Sequence, residues 1–177
     1  KTLEFDNPNQ IPIQLWNLPW AEIHYPIELE SIKKKFPSDL ISTPELLSKT
    51  IKTKGNEYKI GGYIDEWGCK FENKQDGIIG EVKDPIIKTW DNLDELHIPN
   101  EFLSLEFEKI NNYCKKNNDK FSISPCCARP FERIQFIRGS ENIYIDLYES
   151  KDKIERLLKT LHDFNCKRLE SWAKTKV

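Results

Sequence analysis

Gly61 to Trp90 reads GGYIDEWGCKFENKQDGIIGEVKDPIIKTW and holds five of the chain's seven glycines, at 61, 62, 68, 77 and 80, together with two tryptophans and the adjacent acids Asp65 and Glu66. Glycine adopts backbone conformations closed to other residues, so this concentration marks a shaped hairpin or loop in a chain otherwise rich in Lys, Glu and Ile. The spacing predicts a long hairpin over 58–82, with Tyr58, Ile60 and Ile64 on one arm, Ile78, Ile79 and Val82 on the other, and Asn73 to Gly77 at the tip. Successive side chains of a strand face opposite sides, so one of Asp65 and Glu66 at most lines a given pocket as a general acid or base. The alternative for either is a turn-stabilising or rim carboxylate. Trp67, beside Gly68, is a substrate platform or a packing anchor.

Outward from this stretch, strand and helix periods alternate. Ile11, Ile13 and Leu15 alternate with Pro12, Gln14 and Trp16, which predicts a first strand. Pro26 opens a helix carrying Leu29, Ile32 and Phe36 that Pro37 stops, and Asp39 to Ser42 is a second strand. Asn100 is placed to cap a helix with the stripe Leu103, Phe107, Ile110 and Cys114, and Phe121 to Ser124 is a third strand. Pro130 opens a helix that Gly139 closes, and Ser140 caps a short one. The last helix runs from about Lys151 to Lys174, with the stripe Ile154, Leu157, Leu158, Leu161, Phe164, Leu169 and Trp172 and an Asp152–Arg156 pair on its wet side.

Alternating strands and helices predict an α/β fold with a parallel sheet. Three such strands leave bare edges, and a closed (β/α)₈ barrel takes about 200–250 residues. The 177 residues are therefore expected to form a single domain, the first half of a barrel with a β-hairpin insertion, incomplete at its C-terminus. Such a half completes its sheet with further residues, a partner, or a second copy in a homo-oligomer.

The composition narrows the function. Interspersed charges, 27 basic and 29 acidic, imply neither nucleic acid nor an anionic membrane as partner, and no apolar run approaches a membrane span. Five cysteines without CxxC spacing predict a reducing, cytoplasmic setting. The vicinal Cys126-Cys127 is either a thiol pair or two small residues at a strand end. His24, His97 and His162 are scattered, so no metal site is expected wholly inside the chain.

Five segments carry a resemblance: Ile11 to Trp16 (IPIQLW), Phe36 to Ile41 (FPSDLI), Asp65 to Cys69 (DEWGC), Gly80 to Pro85 (GEVKDP) and Phe131 to Asn142 (FERIQFIRGSEN). In this order, with Thr89 to Leu96 (TWDNLDEL) between the last two, they resemble the N-terminal half of the uroporphyrinogen decarboxylase superfamily. The resemblance implies a (β/α)₈ barrel and one of two activities. One is decarboxylation of a tetrapyrrole, uroporphyrinogen. The other is methyl transfer between a small methylated donor or thiol acceptor and a corrinoid carrier, with a corrinoid protein as partner. The family's decarboxylases carry arginines soon after the first strand, where this chain reads Asn17 to His24 and has no arginine before Arg129. Their catalytic aspartate has no match near Ser42 to Pro44, and their tyrosine falls at Gln135. These departures favour the methyltransferases, which the resemblance equips with zinc on a histidine and cysteines of the second half, beyond Val177.

Barrel enzymes gather their sites at the C-terminal ends of the strands. The candidates are then Trp16, Trp20 and His24 after the first strand and Ser124, Cys126 and Arg129 after the third. The hairpin adds Asp65, Glu66 and Trp67. Catalytic roles fall to Asp65, Glu66 or His24, and substrate binding to Trp16, Trp20, Trp67, Arg129, Glu132 and Arg133. His24 is otherwise a residue at a helix start, and Glu132 with Arg133 otherwise a surface ion pair.

Overall fold

The stretch that was expected to form one hairpin is a three-stranded antiparallel meander in the computed structural model, which describes residues 2–7, 9 and 11–177. Two short helices, α1 (Pro19–His24) and α2 (Pro26–Lys35), precede strand β1 (Leu40–Ser42). The meander is β2 (Gly61–Ile64), β3 (Lys70–Asn73) and β4 (Glu81–Asp84). Helix α3 (Phe107–Lys116), strand β5 (Phe121–Ile123) and helices α4 (Pro130–Arg138), α5 (Ser140–Glu149) and α6 (Lys151–Trp172) follow. Strands β1 and β5 pair in parallel, Leu40 opposite Phe121, as a separate two-stranded sheet. The protein is thus mixed α/β, and its described residues form no closed barrel. Among them no helix is long and apolar enough to cross a membrane.

Two turns replace the expected single tip. The first, over 65–69, is wound around the Asp65 side chain. The second lies between β3 and β4, where the Asn73 amide donates to the carbonyls of Glu57 and Lys59 and its carbonyl oxygen accepts the Gly80 N–H. Gly77 in that turn has φ +82° and lies so close to Trp20 that an added Cβ would meet the Trp20 Cα at 2.3 Å. That contact seats α1 on the meander.

Three other expectations fail for identifiable reasons. Ile11 to Trp16 is not a strand: Pro12 has no N–H to give, and Ile13 donates to the Asp39 carboxylate while accepting the Asp39 N–H, each at 2.8 Å. The helix assigned to Asn100 begins instead at Phe107, after a 3₁₀ turn over Asn100–Leu103. Residues 104–106 bond to 46–48, the Ser48 N–H reaching Ser104 O and the Glu106 N–H reaching Leu46 O, which draws them out of helical geometry. Arg156 pairs with Asp94 rather than Asp152. In addition Ser140 makes no cap hydrogen bond, and Leu169 is exposed although its neighbours in the stripe, Phe164 and Trp172, are buried.

The core lies between the meander and helices α4 to α6, around Cys69, Phe71, Ile87, Ile134, Ile137, Ile143, Leu157 and Leu161. A buried clasp closes it. Arg138 donates through Nε to Asp146 at 2.7 Å and through Nη1 to the carbonyls of Ile87 and Lys88, and its guanidinium lies 5.0 Å from the Trp90 ring. Trp90 Nε1 donates to the other Asp146 oxygen at 3.1 Å. Removing the guanidinium alone strands a buried carboxylate, so Arg138→Met is expected to cost about 3–5 kcal/mol in urea denaturation, whereas breaking a surface pair such as Lys159–Asp163 is expected to leave the urea midpoint nearly unchanged.

Candidate functional site

Asp65 ends strand β2 by offering its side chain to the backbone. Oδ1 accepts the N–H groups of Trp67 at 3.1 Å and Cys69 at 2.7 Å, and the Gly68 N–H returns to the Asp65 carbonyl at 3.0 Å. Gly68 has φ +89°, a conformation that suits glycine. Because residues 65–68 are a turn, strand alternation does not hold there, and Asp65 and Glu66 face the same group. That group is Arg133 on α4, which donates to Asp65 Oδ2 at 2.5 Å and to Glu66 Oε1 at 3.4 Å. The expectation that the two acids diverge is corrected by this geometry.

The Arg133 guanidinium lies over the rings of Trp67, at 5.4 Å, and Phe136, at 5.5 Å. Trp67 meets Phe164 of α6 edge-on at 5.2 Å. Beside Phe164, Arg168 lies 4.2 Å from the Phe102 ring and donates to Glu45 at 2.7 Å. Together these groups wall a cavity of about 280 Å³ that Arg129, paired with Glu132 at 2.9 Å, also lines.

Six of the residues expected from the sequence therefore meet in one place: Asp65, Glu66, Trp67, Arg129, Glu132 and Arg133. Three do not line it. Trp20 stacks on His24 and Tyr25 at 4.7 and 5.5 Å, against the far turn of the meander, and Trp16 is exposed. Of the two other candidates after β5, Ser124 accepts the Cys126 N–H, and Cys126 packs on a second core cluster with Trp172. Its neighbour Cys127 lines the cavity instead. Sequence reasoning missed Glu45, Glu57 and Arg168. Glu45, three residues past β1, occupies the position the strand-end rule scans, and Arg168 sits one turn after Phe164 at the border of the α6 stripe.

Electrostatics separate the two acids. Burial pushes the Glu66 carboxyl above its ordinary range, Asp65 adds to the effect, and Arg133 with Arg168 pull it partly back. Burial works against the Arg133 charge, yet Asp65 and Glu66 outweigh it and raise its pKa further. Burial also pushes the Cys69 thiol up to about 12, so it stays protonated. Asp65 has both oxygens engaged, one by the turn and one by Arg133. Glu66 meets Arg133 at 3.4 Å, and a hydrogen bond from its own backbone also offsets part of the effect of burial on its carboxyl.

No group of three His, Cys, Asp or Glu among the described residues could hold a metal ion. Cys126 and Cys127 lack a histidine partner, and His162 with Cys166, 3.5 Å apart on α6, is a lone pair. The described residues supply no zinc site of their own; the resemblance assigns the ligands to the second half, beyond Val177.

A carboxyl whose pKa is higher folded than unfolded binds more protons in the folded state. Its contribution to stability is then full below the unfolded value and is lost as pH rises through the folded one. Glu66→Gln is accordingly expected to gain stability relative to the parent as pH rises from about 4.5 toward neutrality, read by urea denaturation at several pH values; a constant difference across that window would contradict the assignment. No protein-family model matches the chain, and no curated protein or solved structure matches it either.

Proposed function

We propose that the chain forms the first half of a (β/α)₈ enzyme of the uroporphyrinogen decarboxylase superfamily, transferring methyl groups between a small methylated donor or thiol acceptor and a corrinoid carrier. The observation that carries this reading is the position of the cavity. Glu45 follows β1 and Arg129 follows β5, so both parallel strands deliver residues into it from their C-terminal ends, where barrel enzymes assemble their sites. The order of the resembling segments supports the same fold, and two of them, DEWGC and FERIQFIRG, supply the Asp65–Arg133 contact.

Charge favours methyl transfer over decarboxylation. Each guanidinium of the cavity already holds a carboxylate of this chain: Arg133 holds Asp65, Arg168 holds Glu45 and Arg129 holds Glu132. A tetrapyrrole with several carboxylates would find no free row of cations to pair with. In methyl transfer, Glu66 accepts the proton that an acceptor thiol loses as its sulfur bonds the methyl carbon, while the electron pair of the broken carbon–cobalt bond stays with the carrier. No step is assigned to zinc. A non-catalytic half-barrel, pairing its free strand edges with a partner, is the second reading, favoured by a parallel sheet of two strands.

The complete protein, incubated with methylcobalamin and 2-mercaptoethanol, is expected to consume methylcobalamin in a thiol-dependent reaction that Glu66→Gln slows about 10²- to 10⁴-fold. Methylcobalamin that persists, or uroporphyrinogen consumed in its place, would overturn the methyl-transfer reading. Inactivity toward both would favour the non-catalytic module.

A further inference from the structure

The outward side of α6 carries a stripe that the core does not use. Glu155, Lys159, His162, Cys166, Leu169 and Ala173 follow one another at alternating intervals of four and three residues, the spacing by which two helices pack along a shared seam. All are exposed except Cys166, which is half-buried. Leu169, 52% exposed, belongs to this seam rather than to the core stripe of the same helix. At the middle of the seam the Cys166 sulfur lies 3.5 Å from His162 Nε2. On a tetrahedral ion with a Zn–S bond of about 2.3 Å and a Zn–N bond of about 2.0–2.1 Å, an angle of about 109° sets sulfur and nitrogen about 3.5 Å apart. Thiolate and imidazole are also the donors that zinc prefers. The pair is therefore spaced as two ligands of a tetrahedral site, and no third His, Cys, Asp or Glu among the described residues joins it.

We propose that His162 and Cys166 bind a zinc-type divalent ion between two copies of this chain, each copy giving one imidazole and one thiolate from antiparallel α6 helices. Reversing the second copy about the point midway between His162 and Cys166 sets each histidine opposite the other copy's cysteine. The same reversal places Lys159 opposite Leu169 and Glu155 opposite Ala173. The Lys159 stem then covers the exposed Leu169, and its ammonium reaches Glu170 of the second copy, which forms no ion pair among the described residues. A parallel order would instead set Lys159 against Lys159, a like-charge contact. Two thiolates balance the two charges of the ion, and each thiol gives its proton to solvent as it binds. None of the seam residues lines the cavity under the Asp65 turn, so the site stands apart from the proposed methyl transfer.

Metal-free protein, kept reduced with a phosphine, is titrated with zinc chloride while its mass is read by light scattering after size exclusion. Zinc is expected to double the mass of the 20.9 kDa chain at one ion per two chains, and a chelator to reverse the change. Cobalt(II) in place of zinc is expected to give tetrahedral d–d absorption with a thiolate charge-transfer band. His162→Ala and Cys166→Ser are each expected to weaken zinc binding at least about tenfold and to abolish the zinc-dependent dimer. Cys127→Ser, which removes the exposed thiol elsewhere in the chain, is expected to retain both. Leu169→Lys, brought against Lys159 of the second copy, is expected to weaken the dimer about tenfold, and Lys159→Glu added to it to restore the dimer. Both positions are exposed, so these variants keep the fold and report on the seam alone. A mass that zinc leaves unchanged, one ion bound per chain, binding intact in Cys166→Ser, or no restoration by Lys159→Glu would overturn the proposal.

Discussion

The buried pair between Asp65 and Arg133 is the interaction on which the site depends. One carboxylate oxygen closes the turn that ends β2, and the other holds a guanidinium on α4, so a single side chain sets the local backbone and docks the meander on the helices. Both partners are largely withdrawn from water, at 5% exposure for the Asp65 side chain and 23% for Arg133. In that setting attraction between the charges offsets desolvation only while both are present, and loss of one partner costs about 3–5 kcal/mol. The rings of Trp67 and Phe136, 5.4 and 5.5 Å from the Arg133 guanidinium, add cation–π attraction to the contact with the two acids.

From this pair the rest of the cavity follows. Trp67, fixed by the turn, leans on Phe164, and Phe164 stands one turn before Arg168, whose bond to Glu45 ties α6 to the end of β1. The meander, α4, α6 and the loops after both parallel strands thus meet around one volume. The two acids of the turn are divided by bonding: both oxygens of Asp65 are engaged, one by the turn and one by Arg133, whereas Glu66 meets Arg133 at 3.4 Å and burial pushes its carboxyl above the ordinary range.

Much of this was legible in the sequence where local chemistry decides the outcome. Proline and glycine mark the bounds of α2 and α4, and the apolar period of α6 identifies Ile154, Leu157, Leu161 and Phe164 as core. Of the glycines of 61–80, Gly68 and Gly77 lie in the two turns, whereas Gly61 and Gly62 lie within β2. What sequence reasoning could not show is how a side chain competes with a ladder. Asp65 folds back on its own backbone, and that converts an expected strand into a turn and places two acids on one side. Asp39 likewise takes the N–H of Ile13 that a first strand would have used, and 104–106 is drawn from the α3 helix by bonds to 46–48. Glu45 and Arg168 meet across 123 positions of sequence, a contact that no local pattern announces.

Asp65 and Arg133 act as one unit. A double-mutant cycle with Asp65→Asn and Arg133→Met, each variant unfolded in urea, measures their coupling directly. The account predicts a coupling energy near the upper end of the range of about 0.5–3 kcal/mol seen for residues in contact, and single variants that each cost nearly as much as the double. Additive effects, within about 0.5 kcal/mol, would contradict it.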